Sequence, residues 1–199
     1  MYPFFKRLLD FLISLIGILI LLPFFILFAC LIIINSGFPV FYIQKRVGKN
    51  SKDFGLFKFR TMKNNSDRAG LLTVGGRDSR ITTIGYYLRK YKLDELPQLL
   101  NVLIGSMSLV GPRPEVRKYV DLYNDIQKKV LLIKPGITDY ASLEYFSEND
   151  LLAKSTNPEE TYIKEIMPAK LELNAKYINE IGLKTDFKII LKTILRIIN

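Results

Sequence analysis

The chain has 199 residues, no histidine, one cysteine, and 29 Lys plus Arg against 19 Asp plus Glu, for a formal charge of +10. Without histidine there can be no Ser-His-Asp triad, Cys-His pair or histidine zinc site, and the lone Cys30 rules out an internal disulfide or a paired-cysteine metal or redox centre. The positive excess points to anionic partners, with lipid headgroups, nucleotides and nucleic acid all admissible on charge alone. Catalysis is left to carboxylates, lysine, arginine, tyrosine and a hard metal ion held through oxygen.

Residues 11–34 carry no charged side chain and are dominated by Leu, Ile and Phe, a run long enough to cross a hydrocarbon core of about 30 Å. It is too long for the apolar part of a secretory signal and has no small-residue cleavage site. Pro23, near its middle, removes a helix hydrogen bond and predicts a break or kink at Leu22-Pro23. Lys6 and Arg7 precede the run, and Lys45, Arg46, Lys49 and Lys52 follow it. Because basic residues favour the cytoplasmic side, this symmetry suits a helix that enters, bends and returns to the same face. From these residues alone, a kinked transmembrane anchor stands level with re-entry. A soluble core helix stands behind both, because a chain of this size has little core in which to hide it. The expected division is a membrane segment over 1–36 and a cytosolic domain over 37–199.

Residues 38–47 and 54–61 are β-rich runs flanking Gly48-Lys49-Asn50-Ser51, which predicts short strands or a hairpin. Residues 63–80 are polar and contain Gly75-Gly76, predicting a loop beside a site or a plain exposed connection. Helices are expected over 81–92, which carries Arg89, and over 93–104, where Pro97 is admissible only in the first turn. That position puts Asp94 and Glu95 at a helix N-terminus, where the backbone dipole favours negative charge. Neighbouring helical side chains diverge by about 100°, so the two acids need not share a proton and can hold different roles. The plainer reading of the pair is a helix-start signal. In Gly111-Pro112-Arg113-Pro114 two prolines stiffen the backbone around Arg113, which suits bidentate phosphate or carboxylate recognition, or a structural salt bridge in a surface turn.

An amphipathic helix is expected over 116–132, ending before a turn at Pro135-Gly136, and helical pattern resumes over 158–180. Over 184–198, Lys184, Lys188, Lys192 and Arg196 recur every four residues opposite Phe187, Ile190, Leu191, Ile194, Leu195 and Ile198. Such a helix suits an anionic membrane surface, or a core position with a solvated lysine face. No Walker loop, GxGxxG or nucleic-acid module accompanies the basic charge, so no nucleic-acid partner is expected. The pattern reads as an α+β fold, mainly helical, with short strands and amphipathic interfacial helices.

A histidine-free chain suits a reaction among groups that are already ionised, because no proton donor tuned to neutral pH is then required. Phosphoryl transfer from a nucleoside diphosphate-activated group to a phosphate acceptor is such a reaction, since the leaving phosphate is stable as an anion and the acceptor needs no general base. An aspartate nucleophile would divide the transfer into two displacements, a second acid would hold Mg²⁺, and arginines would neutralise phosphoryl oxygens. Asp94, Glu95 and Arg113 match those roles by residue type.

Lys6-Arg7 with Asp10, Gln44-Lys45-Arg46-Val47-Gly48, Lys58-Phe59-Arg60-Thr61-Met62, residues 80–85, Leu88-Arg89, and residues 93–101, 105–114 and 134–138 occur in order along the chain. In these motifs it resembles bacterial sugar transferases of the monotopic phosphoglycosyl transferase family over most of its length. The resemblance implies passage of a sugar 1-phosphate from a UDP-sugar to polyprenol (undecaprenyl) phosphate, with release of UMP, as a first membrane step of glycan assembly. It implies a place on the cytoplasmic face of the bacterial inner membrane among anionic lipids. Asp94 would be the nucleophile that forms a covalent sugar-phosphate intermediate, and Glu95 with Asp94 would hold Mg²⁺. Arg113 would hold phosphate, with Lys58, Arg60, Arg80 and Arg89 at phosphate or headgroup contacts. The family's membrane helix is broken and re-entrant, with a proline at the bend that Pro23 matches.

The chain departs from the family where many members continue Pro-Gly-Ile-Thr with a Gly-Trp-Ala-Gln-Val-Asn-Gly-Arg-like stretch. Here Asp139-Tyr140-Ala141-Ser142-Leu143-Glu144-Tyr145-Phe146 follows, in a region expected to shape the sugar or nucleotide pocket, so the donor sugar is not carried over. The bend also reads Leu-Pro where Ser-Pro is frequent. A different class of function, a non-catalytic membrane-surface adaptor for anionic lipid, stands as the alternative, and the oligomeric state is left open.

Overall fold

The computed structural model describes residues 2–63, 66, 75 and 78–198, and it is mainly helical with two small sheets. Much of the loop expected over 63–80, Gly76 included, lies outside the described residues. The expected hairpin is present: β1 (Phe41–Val47) and β2 (Asp53–Phe59) pair antiparallel, Phe41 opposite Phe59 and Val47 opposite Asp53. Next comes α2 (Thr83–Lys90), whose cap Thr82 accepts a hydrogen bond from the Gly85 N–H at 3.0 Å. A 3₁₀ turn over Leu93–Glu95 leads through Leu96 and Pro97 into α3 (Gln98–Ile104). The helix expected over 93–104 is therefore one helical path in two pieces, with Pro97 ahead of α3, where its missing N–H costs little.

Two three-residue strands, β3 (Ser108–Val110) and β4 (Gly136–Thr138), pair in parallel, too short for any periodicity to announce. A Cβ on Gly136 would stand 2.1 Å from the Gly111 nitrogen, so the two chains touch backbone to backbone and only glycine fits there. This contact sets Gly111-Pro112-Arg113 beside the residues that follow Pro135.

The helix expected over 116–132 requires correction, because only α4 (Arg117–Val120) and a 3₁₀ segment over Gln127–Leu132 form. Between them Asn124 and Gln127 exchange side chain-to-backbone hydrogen bonds of 2.9 Å in each direction, which take those amides out of the helical ladder. The chain ends through α5 (Tyr140–Glu144), α6 (Glu148–Ala153), α7 (Pro158–Thr161), α8 (Met167–Asn179) and α9 (Leu183–Ile198). A π-helical turn over Tyr162–Ile166 joins α7 to α8. Buried side chains gather in local clusters: Tyr119, Leu152, Tyr162 and Leu171 among α4 to α8, Leu56, Val102 and Met107 between the hairpin and α3, and Val110, Tyr177 and Ile189 where β3, α8 and α9 meet.

The N-terminal helix α1 (Tyr2–Ser36) has 35 residues, about 52 Å at a rise of about 1.5 Å per residue, and is long and apolar enough to cross a membrane. It runs as one helix through Pro23, without the expected break at Leu22-Pro23, although the missing N–H leaves the Leu19 carbonyl without its usual donor. A stripe at intervals of three and four residues docks on the rest of the chain. In its first half the stripe is polar or small. Arg7 donates to the Val102 and Leu103 carbonyls at the end of α3, at 2.6 and 2.9 Å, Asp10 accepts from the Ser108 hydroxyl at 2.7 Å and the Leu109 N–H at 3.2 Å, and Ser14 is buried. In its second half the stripe is apolar, with Leu21, Phe25, Phe28 and Ile32 packed on Phe59 and Leu88. Around the first half the usual order of an amphipathic helix is inverted, because Phe4, Leu8, Leu12, Ile16 and Leu19 are exposed while Asp10 and Ser14 are inside.

Candidate active site

Asp94 and Glu95 sit in the 3₁₀ turn between α2 and α3, immediately after Lys92, whose φ of 56° puts a non-glycine residue in the left-handed region. That conformation costs on the order of 1 kcal/mol and reverses the chain so that the acidic pair faces inward. Asp94 is 6% exposed. Its carboxylate accepts no hydrogen bond and joins no ion pair from the described residues, whereas Glu95 is held from two sides. Arg113 forks onto it, one nitrogen 2.9 Å from Oε2 and the other in a short contact with Oε1, and Lys58 from β2 reaches Oε1 at 3.1 Å.

The two acids are consequently shifted in opposite directions. Burial pushes the Asp94 carboxyl up, and the neighbouring Glu95 charge adds to this, against the pull of Lys58, Arg89 and Lys92. Burial acts on Glu95 as well, but Arg113 and Lys58 outweigh it and hold that carboxyl well below the usual range. Burial also lowers the Lys58 amine, with Glu95 opposing, while Glu95 raises Arg113.

A cleft of 960 Å³ opens over this cluster and is lined by all seven polar residues that sequence singled out, Lys58, Arg60, Arg80, Arg89, Asp94, Glu95 and Arg113. Within it they divide. Lys58, Asp94, Glu95 and Arg113 form one cluster, and Arg89, hydrogen-bonded through Nε to the Thr61 hydroxyl at 2.8 Å, lends its charge to both acids. Arg80 lies farther along on Asp78, with Nε 2.9 Å from Oδ1, and holds that carboxyl at about 2. Arg60 turns its guanidinium to the end of α1, donating to the Ser36 and Phe38 carbonyls at 2.9 and 2.7 Å and to the Gly37 carbonyl. Pro23 lies within α1, outside the cleft lining. The lining also has an apolar part, with Ile13 of α1, Leu99 of α3 and Phe187, Ile190 and Ile194 of α9.

Three positioning residues escaped the sequence reading. Asn101 bridges α3 to β2, accepting from the Phe57 N–H at 2.9 Å and donating to the Gly55 carbonyl at 2.7 Å, which holds the Lys58 strand against the acidic turn. Fully buried Asp139 accepts from the Arg113 N–H at 3.1 Å and from the Ser142 N–H at 2.6 Å, so one side chain fixes the arginine turn and caps α5. Lys92, the left-handed residue, is the third. An Asp three residues ahead of a Ser was the one available sequence signal, for the α5 cap.

Each acid keeps an oxygen available to a hard cation. Asp94 has no donor among the described residues, and Glu95 Oε2 has one, leaving lone pairs open. Among the described residues no third acid, histidine or cysteine gathers here. Two carboxylates with substrate phosphates suit Mg²⁺, which is bound through one or two carboxylates rather than an all-protein cage. The cluster sets Lys58, Arg89 and Arg113 around a buried carboxylate that has no hydrogen-bond partner among the described residues, an arrangement that suits a multiply charged anion.

Comparison with known proteins gives the same outline. The bacterial sugar transferase model matches residues 1–199. The chain is 37% identical over 196 residues to a UDP-N-acetylgalactosamine-undecaprenyl-phosphate N-acetylgalactosaminephosphotransferase of Aeromonas hydrophila, covering 97% of this chain and 43% of that protein. It is 33% identical over 197 residues to a UDP-glucose:undecaprenyl-phosphate glucose-1-phosphate transferase of Xanthomonas campestris pv. campestris, covering 97% and 38%. A putative undecaprenyl-phosphate N-acetylgalactosaminyl 1-phosphate transferase of Bacillus subtilis is 46% identical over 110 residues, 55% of this chain and 62% of that one. The chain thus spans less than two thirds of the length of each of these relatives. With a family match over its whole length and an acidic pair set among basic side chains, the chain belongs to the bacterial sugar transferases.

Proposed function

We propose that this chain transfers a sugar 1-phosphate from a UDP-sugar to polyprenol phosphate, undecaprenyl phosphate in bacteria, and releases UMP. The observation that carries the reading is the buried Asp94 carboxylate, unpaired among the described residues and facing a large cleft, with Glu95 beside it fixed by Lys58 and Arg113. An adaptor that merely bound anionic lipid would have no use for a desolvated carboxylate in such a place.

In the proposed reaction the UDP-sugar diphosphate lies against Lys58, Arg89 and Arg113, which neutralise its oxygens. An Asp94 oxygen attacks the β-phosphorus, the bond from that phosphorus to the oxygen bridging to the α-phosphate breaks, and UMP departs with the electron pair. The acyl phosphate left on Asp94 carries the sugar. An oxygen of the polyprenol phosphate then attacks the same phosphorus and expels the Asp94 carboxylate, giving polyprenyl-diphosphate-sugar. Neither displacement requires a proton, which accords with a chain lacking histidine. Mg²⁺, held by the open oxygens of Asp94 and Glu95 together with the diphosphate, would supply further charge neutralisation.

A lipid acceptor is in keeping with the surface of α1 and α9. Both halves of α1 dock on one domain, although a helix simply crossing about 30 Å of hydrocarbon would carry its ends to opposite sides. This supports a re-entrant path bent near Pro23, with both flanks on the cytoplasmic face and lipid around the exposed apolar side. Exposed Phe187, Leu191 and Leu195 beside Lys184, Lys188 and Lys192 support a resting place for α9 on anionic headgroups.

The direct test is UMP release from a panel of UDP-sugars in the presence of polyprenol phosphate and Mg²⁺. Turnover with at least one donor is expected, and Asp94→Asn should lose both turnover and the sugar-phosphate adduct while staying folded. Near wild-type turnover in that variant would remove Asp94 as nucleophile. Cysteine labelling at positions 2 and 45 in sealed vesicles, in a background lacking Cys30, should succeed from one side only for both sites.

A further inference from the structure

Buried polar atoms normally have hydrogen-bond partners, so those that lack one invite a search for the missing group. Among such atoms of the described residues are Ser142 Oγ and Asn174 Oδ1, whose side chains line the cleft over Asp94. Asn174 is 5% exposed, on the inner face of α8, and also borders a 20 Å³ cavity beneath the Arg113-Pro114 turn. Ser142 is in α5, which packs on α8. Its position is tied to the reacting cluster, because Asp139 binds the Ser142 and Arg113 N–H groups together and Arg113 binds Glu95.

The chemistry of these atoms selects a part of the donor. An amide oxygen repels phosphate, which in any case has Lys58, Arg89 and Arg113 to receive it. What Asn174 lacks is a donor, and Ser142 can donate or accept. A sugar hydroxyl does both, and an acetamido N–H donates. Proximity points the same way: the sugar is joined to the reacting β-phosphate itself, whereas the uridine lies a further phosphate away.

Resting on the transferase reading above, we propose that Ser142 and Asn174 form the sugar-reading edge of the cleft, hydrogen-bonding a hydroxyl or acetamido group of the transferred hexose and so selecting among UDP-sugars. Ser142 is in α5 and Asn174 in α8, which packs against it, so one edge of the cleft carries both groups.

The test uses the full chain in lipid nanodiscs with UDP-glucose, UDP-galactose, UDP-N-acetylglucosamine and UDP-N-acetylgalactosamine, donors that differ at C4 or at C2. The variants are Asn174→Leu, close in volume, and Ser142→Ala, the gentler change should the first not fold. For the preferred donor, kcat/KM is expected to fall about 10- to 100-fold, while the poorer donors change less than about threefold, so that discrimination collapses. Inhibition by UMP and the melting temperature should hold. An equal fall for every donor would indicate a structural role, a parallel loss of UMP inhibition a nucleotide contact, and an unchanged donor ratio an oxygen satisfied by water, and each of these overturns the proposal. Absence of turnover by the wild-type chain with every donor would instead strike the transferase reading itself, before any variant is made.

Discussion

Burial acts on both carboxylates of the Asp94-Glu95 pair, and only Glu95 is given cations at hydrogen-bonding distance to offset it. The residue types were plain in the sequence, and so was the expectation of separate roles. Which acid would be clamped was not, because the clamps arrive from 37 and 18 residues away, Lys58 on a strand and Arg113 in a turn. The arrangement has a pH signature. If ionised Asp94 is the nucleophile, kcat/KM falls as pH drops through its raised pKa, so the acid limb should lie above the ordinary aspartate value of about 3.9. Glu95→Gln removes the charge that helps raise Asp94 and should move the limb to lower pH, while Lys58→Met removes a charge that lowers it and should move the limb to higher pH. Stability runs in another window. Glu95 and Asp78 are depressed in the folded state, so their contributions are complete above the ordinary carboxylate range and are lost as pH falls below about 4, down to about 2 for Asp78. Asp94, shifted the other way, partly offsets this. Asp78→Asn removes a contribution that is complete at neutral pH, so it should lower the melting temperature there and flatten the acid side of the profile, where the wild-type chain loses that contribution anyway.

Elements long enough to repeat their pattern were legible, and those closed by side chains or by a few residues were not. The β1-β2 hairpin and α9 declared themselves through composition and period. The β3-β4 pair, three residues a side, rests on the approach of Gly111 and Gly136, and the break in 116–132 rests on Asn124 and Gln127 bonding each other's backbone. Between the hairpin and α3, one buried amide carries the alignment. Asn101→Ala leaves the Phe57 N–H and the Gly55 carbonyl without that partner and should cost on the order of 2 kcal/mol, seen as a lower denaturant midpoint. Because Lys58 follows Phe57 directly, the same variant, assayed where it is still folded, should also lose turnover.

At the scale of the whole molecule, the proposed lipid-phosphate acceptor calls for charge beside apolar surface, and α9 and the outer side of α1 carry both between them. Net charge and the long apolar run were evident from composition, but that the run would turn its polar stripe inward depends on Ser108, Leu109, Val102 and Leu103, which only the folded chain brings to it. Replacing Lys184, Lys188, Lys192 and Arg196 together by Gln should weaken binding to anionic vesicles by about 1 kcal/mol per charge and make it less sensitive to salt, with the fold intact because all four are exposed. Binding that stayed unchanged would mean that α9 does not rest on the headgroups.

The stripe along α1 carries a lesson for anyone wishing to work with this protein in water. The helix α1 ends at residue 36, yet Phe25, Phe28 and Ile32 pack around Phe59, and Asp10 is the partner of Ser108 and Leu109. A chain started at residue 37 would be missing one wall of its own interior, and a borrowed anchor of equal hydropathy would restore the address without restoring that wall. Such chimeras are expected to reach the membrane and fail to fold there.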